Sequence, residues 1–145
     1  MKKKIISIIG LGFVGLPLAC VLSTIKNQNF EIIGVDKKFK NKKLNKIKIL
    51  TDFQKNLIDK KMLIAVEKAK AKNNFFVTSE FKKIKNSDIV VVSTGFDFKG
   101  KKPQKTFNQL KELFLEISKN VSKNTLIILE TTIPPGTSDK VILPV

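Results

Sequence analysis

The chain has 145 residues, 42% of them hydrophobic, a formal net charge of +16 and a single cysteine. That length gives one domain, or part of one, with enough apolar residues for a real core, and one cysteine excludes an internal disulfide framework while fitting a reducing compartment, the cytoplasm. The charge points to nucleic acid or a membrane surface, but all 28 basic residues are lysine, whereas bidentate phosphate and base contacts favour arginine.

The N-terminal stretch Lys4 to Ala19, K-I-I-S-I-I-G-L-G-F-V-G-L-P-L-A, organises the rest. Ile5 to Ile9 predicts a buried strand. It ends at Gly10, and Gly10, Gly12 and Gly15 then fall in the spacing G-x-G-x-x-G. The first glycine permits the tight turn, the second lets a pyrophosphate approach the backbone, and the third lets the following helix pack close to the strand. That helix would aim its N-terminal N–H groups at the phosphates. Pro17 is compatible with its first turn, where a missing N–H costs little. The rival reading is a secretory signal, with M-K-K-K before an apolar run and L-A-C at Cys20. Pro17 is wrong for it, and the three glycines would be accidental.

Phe30 to Asp36, F-E-I-I-G-V-D, predicts a second strand ending in an acid. Asp36 stands at about the spacing, ~20 residues past the glycines, expected for a carboxylate on the adenosine ribose. A carboxylate pairs with a free 2′-hydroxyl and repels a 2′-phosphate, so NAD is expected over NADP, although Lys37 and Lys38 follow directly. A solvated acid at a strand end is the plainer alternative for Asp36. The lysine-rich run from Lys37 to Lys48 predicts the start of a helix with a solvated face. Between Thr51 and Lys72, Phe53, Leu57, Ile58, Met62, Ile64, Ala65 and Ala69 predict one helical face with a break near Lys60.

Phe75 to Thr78 predicts a short strand, Glu80 to Lys85 a brief helical turn, and Ile89 to Ser93 a continuous buried strand of the parallel type. Thr94 to Lys105 is a loop at that strand's C-terminal end, the edge where open α/β sheets bind ligands. Thr106 is expected to cap a helix running to Asn120, with Phe107, Leu110, Leu113, Phe114 and Ile117 as its core stripe. Leu126 to Leu129 is the next strand, leading into a second polar loop, Glu130 to Thr137. Strands alternating with helices imply an α/β, doubly wound parallel sheet of about five or six strands. No apolar run is long enough for a transmembrane helix.

G-L-G-F-V-G-L-P-L-A at Gly10 to Ala19 and E-T-T-I-P-P-G-T at Glu130 to Thr137 resemble the N-terminal domain of the UDP-glucose/GDP-mannose dehydrogenases. S-D-I-V-V-V-S at Ser87 to Ser93 and Leu44-Asn45 are similar too, so the resemblance spans essentially the whole chain. It implies a Rossmann-type domain of an NAD-dependent oxidoreductase. Such enzymes oxidise the primary alcohol of a UDP- or GDP-linked sugar to a carboxylate in two hydride transfers, with a cysteine of a later domain holding the intermediate. By this resemblance Gly10, Gly12, Phe13, Val14 and Gly15 meet the pyrophosphate and Asp36 the ribose. Thr94 and Glu130 border the cofactor, and Thr132 positions a water near the reacting carbon.

The sequence departs from the family pattern at several places. T-G-F-D-F at Thr94 to Phe98 replaces the usual threonine-proline pair, and Ile47 and Phe53 stand where the family has glycine and glutamate. The central helical and C-terminal substrate domains are absent from residues 1–145, and with them the nucleophilic cysteine; Cys20 reads as a small buried residue. The chain alone is therefore expected to be inactive. An excised domain, a truncated gene product and a decayed copy all fit these residues, and a homo-oligomer of the family's kind is compatible with them. There is no histidine and no metal site is expected. The alternative from another class is a basic nucleic-acid-binding module. The eleven phenylalanines fall at core spacing, however, and no RNA-binding signature accompanies them, so neither a nucleic-acid nor a membrane partner is expected.

Overall fold

The computed structural model describes residues 3–37, 42–43, 60–98 and 103–145. In chain order these form β1 (Lys4–Ile9), α1 (Gly15–Thr24), β2 (Phe30–Val35), β3 (Lys42–Lys43), α2 (Lys60–Ala71) and β4 (Phe75–Thr78). A 3₁₀ turn (Phe81–Ile84) follows, then β5 (Ile89–Val92), α3 (Pro103–Asn120), β6 (Leu126–Leu129) and a π-helical turn (Ser138–Ile142).

The strands make one six-stranded sheet in the order β3-β4-β2-β1-β5-β6. Every neighbouring pair is parallel except β3 with β4. β1 is central because its isoleucines are apolar on both sides of the pleat, which suits a strand covered on both faces. Ile6 and Ile8 enter one core with Leu16, Ala19, Cys20, Val66 and Phe75, on the face that carries α1 and α2. Ile9 enters the other with Val90, Val92, Leu110, Phe114 and Ile117, under α3. Fully burying each such aliphatic side chain contributes about 1.5–3 kcal/mol. A central, doubly covered β1 is incompatible with the secretory-signal reading.

Polar side chains set the register at the opposite edge of the sheet from the glycine loop. Asp88 accepts from the Ile5 amide and from Lys4 Nζ, both at 2.8 Å, and so aligns the starts of β1 and β5. Within the sheet, the buried hydroxyls of Ser7 and Ser87 lie 2.6 Å apart. Asn74 donates to the carbonyls of Ser23 and Phe30, at 3.1 and 2.9 Å, joining α1, β2 and β4.

Three expectations need correction. Lys42 and Lys43 lie in β3, opposite Val77 and Phe76, and not in a helix; an edge strand needs only its neighbour's free backbone groups, whatever its side chains. Ile64 is 54% exposed, and Val66 and Ala69 carry the buried face of α2, because that helix is rotated toward α1 relative to the predicted stripe. Thr106 does not cap α3. The helix begins at Pro103, a residue preorganised for a first helical turn, and Thr106 lies inside it with its hydroxyl donating to the Asp97 carbonyl at 2.8 Å. Leu44, Asn45, Ile47, Phe53, Leu57 and Ile58 lie outside the described residues.

Candidate functional site

Chain order reverses across β1: β2 lies on one side and β5 on the other. At such a switch point two loops diverge beyond the strand ends and leave a crevice. Here the glycine loop after β1 and the Thr94–Phe98 segment after β5 frame it.

Gly10 adopts φ +90°, and a Cβ there would lie 2.9 Å from the Thr94 backbone; glycine satisfies both demands. A Cβ on Gly15 would come within 1.9 Å of the Gly10 carbonyl oxygen and 2.3 Å of Ser93 Oγ, so α1 packs against the loop at a distance no side chain permits. Gly12 differs: a Cβ there meets nothing within 4 Å. Its bareness is unused by the fold and leaves open space beside the backbone. The first amides of α1 follow, with Leu16 and Leu18 donating to the carbonyls of Gly12 and Val14. Pro17 falls between them, where its missing N–H removes little.

Asp36 stands at the end of β2. Its Oδ2 accepts from the Leu11 amide at 3.0 Å. The strand-end acid is thus bonded to the glycine loop and is not merely solvated. Buried Ser93 donates to the Gly10 carbonyl at 2.8 Å and lies 3.2 Å from that of Ile9, bonding the end of β5 to the same loop.

A cavity of about 620 Å³ opens between these elements. Of the residues expected at the site, Gly10, Asp36 and Thr94 line it. Gly15 is buried beneath the loop, while Phe13 and Val14 are 67% and 47% exposed. Glu130 and Thr132 are exposed at the end of β6, beyond β5 from the glycine loop, and do not line the cavity. Lys37 lines it; Lys38 lies outside the described residues.

Residues missed by the sequence reading also line the cavity. Phe96 stands on its wall, half-buried in the second core. Gln109, Glu112 and Glu116 reach it from α3 beside Leu113. Their i, i+3, i+7 spacing puts them on one helical face, and two acids so placed in a lysine-rich chain were the available signal. Among the described residues, Asp36, Asp97, Glu112 and Glu116 bring carboxylates to the cavity lining and Lys37 brings an ammonium.

The Glu130–Thr137 loop owes its shape to its prolines and glycine. Pro135 and Gly136, the latter at φ +77°, occupy the central positions of a turn closed by the Thr137 amide on the Pro134 carbonyl at 3.2 Å. Proline followed by a positive-φ glycine is the type II pattern. Thr137 Oγ1 donates to the same carbonyl at 2.7 Å. Cys20 is fully buried in α1, where burial pushes its thiol from 9.0 up to about 12; an un-ionised, inaccessible thiol is no nucleophile.

The profile of the UDP-glucose/GDP-mannose dehydrogenase family, NAD binding domain, matches residues 4–145. The UDP-N-acetyl-D-mannosamine dehydrogenase of Methanocaldococcus jannaschii is 33% identical over 138 residues, which are 95% of this chain and 30% of that protein. The enzyme of that name from Methanococcus vannielii is 32% identical over 143 residues, 97% of this chain and 31% of that protein. Among solved structures, a ternary complex of GDP-mannose dehydrogenase from Pseudomonas aeruginosa superposes with a TM-score of 0.73 at 24% identity. It aligns with 96% of this chain and 31% of its own. The chain thus spans somewhat under a third of the length of the relatives it matches. None of these matches supports the nucleic-acid alternative.

Proposed function

The chain belongs to the UDP-glucose/GDP-mannose dehydrogenase family as its NAD binding domain, and from that premise we propose that it supplies the cofactor half of a nucleotide-sugar dehydrogenase. The reaction would be oxidation of the primary alcohol of a UDP- or GDP-linked sugar to a uronic acid, in the cytoplasm. The observation that carries this reading is the glycine loop at the switch point with Asp36 bonded to it.

The residues present fit NAD. Gly12 faces open space, so its backbone is approachable by a pyrophosphate, and the N-terminus of α1 offers a favourable dipole for phosphate charge. Gly10, Phe13, Val14 and Gly15 complete that cradle. Asp36 accepts from the ribose hydroxyls, and Thr94 borders the cavity above Gly10. When bound, NAD supplies the hydride acceptor. Thr132, exposed beyond β6, is assigned to hold a water by its hydroxyl near the reacting carbon, with Glu130 beside it.

The nucleophilic cysteine, the sugar-nucleotide pocket and the aligned substrate carbon all require further domains. A threonine without an adjacent base is a weak nucleophile, and unaligned reactants forfeit most of the proximity contribution. Residues 1–145 are therefore expected to bind cofactor without turnover. Calorimetric titration of the purified chain with NAD and NADP tests the reading. NAD should bind the more tightly, and no NADH absorbance should develop with UDP-glucose, UDP-N-acetylglucosamine, UDP-N-acetylmannosamine or GDP-mannose. Failure of NAD to bind would overturn the assignment.

A further inference from the structure

Thr131 and Thr132 are neighbours in sequence with opposite surroundings. Thr132 is exposed, whereas Thr131 is half-buried between two loops. The Thr131 hydroxyl donates to the Thr94 carbonyl at 2.9 Å and lies 3.3 Å from the Val92 carbonyl. A hydroxyl has one proton, and the shorter contact goes to Thr94. The β5–β6 ladder reaches its end at the Glu130 amide, which donates to Val92 at 2.8 Å. The Thr131 side chain carries the connection one step further, from the β6 loop to the β5 loop.

Thr94 is the residue against which the glycine loop is fitted. Its N, Cα and Oγ1 all lie 2.9 Å from where a Gly10 Cβ would stand, and Ser93 beside it is bonded to Gly10. Thr94 is therefore confined by the glycine loop on one side and held by Thr131 on the other. The far end of the segment is fixed separately, by Thr106 on the Asp97 carbonyl and by the Phe98 ring 4.9 Å from that of Phe107.

We propose that Thr131 is a positioning residue for NAD. Its hydroxyl holds Thr94 at a set height over Gly10, so the wall of the cofactor cavity is ordered before ligand arrives and binding does not bear the cost of ordering it. The same bond orients Thr131 inward and so leaves Thr132 facing outward on the shared loop. This inference rests on the NAD reading given above.

The test is calorimetric titration of NAD into the wild-type 145-residue chain, Thr131→Val and Thr131→Ser, with a thermal melt of each. Valine keeps the shape, removes the donor and leaves the Thr94 carbonyl unpaired, so the NAD Kd should rise about tenfold. Serine restores the donor and should bring Kd back to within about twofold of wild type, because a hydroxyl is all the role requires. If Thr131→Val folds poorly, Thr131→Ala carries the same comparison with serine. An unchanged Kd in the valine or alanine variant, or serine no better than they are, overturns the proposal while leaving the NAD reading intact. Absence of NAD binding by the wild-type chain overturns both.

Discussion

The Leu11 amide donates to Oδ2 of Asp36 at 3.0 Å, so the acid that ends β2 also braces the loop that follows β1. The two residues come from different strands and meet because β1 and β2 run parallel in register, Ile9 beside Val35. A carboxylate has two oxygens and about four acceptor sites, so one such group is able both to hold the loop and to accept from a ribose hydroxyl.

Replacing Asp36 by Asn separates these two roles. The amide oxygen still accepts from Leu11, so the melting temperature should change little. The charge is lost, and with it the stronger charge-assisted bond to the ribose and the repulsion of a 2′-phosphate. Titration should show NAD affinity falling by about tenfold and the gap between NAD and NADP narrowing. Equal or tighter binding of NADP by the wild-type chain would contradict the role given to Asp36.

The glycines predict opposite phenotypes. Gly12→Val should retain the fold, since a side chain there starts into open space, and should lose NAD binding because the branched side chain fills the path of the pyrophosphate. Gly15→Ala should do the reverse first. Its methyl would press on the Gly10 carbonyl and Ser93, an overpacking that costs on the order of 3 kcal/mol. Circular-dichroism melts of the two variants, set beside their NAD affinities, check this contrast.

Cys20 should be silent toward a thiol reagent at neutral pH in the folded chain and react once in denaturant. The pH dependence has a definite sign. Its folded-state thiol titrates at about 12 against 9.0 when unburied, so the fold favours the neutral form. The stability it contributes is whole below pH 9 and is lost as pH rises from there toward 12. Cys20→Ala should therefore lose less stability than wild type over that alkaline range in denaturant titrations.

The outer strand β6 should make the 145-residue chain self-associate. Leu126 and Ile128 are 56% and 42% exposed and share one face by the period of two. The strand L-I-I-L carries none of the lysine or proline that blunts an open edge. The charge of +16 opposes association at low salt. Sedimentation velocity should show larger species as salt is raised to about 0.5 M, which screens that repulsion, and Ile128→Lys should suppress them. A strictly monomeric wild type at both salts would contradict this.

The sequence by itself determined whatever depends on neighbours in the chain. The glycine spacing, the strand ending at Asp36, the apolar runs of β4, β5 and β6 and the core stripe of α3 were all legible, because backbone freedom and hydrophobic period are local properties. The Pro135-Gly136 turn is of the same kind. Only the tertiary structure decided what depends on distant partners. Lys42-Lys43 becomes a strand through β4, more than thirty residues on. Thr106 serves the Asp97 carbonyl and not a helix end, and Val66 is buried where Ile64 is not, because α2 is turned against α1. The same holds at the site. Glu112 and Glu116 became cavity walls when α3 packed beside the ends of β1, β2 and β5, and Thr131 met the Thr94 carbonyl when the sheet brought the ends of β5 and β6 together. A hydroxyl's partner is set by position in space, and a local pattern carries no record of it.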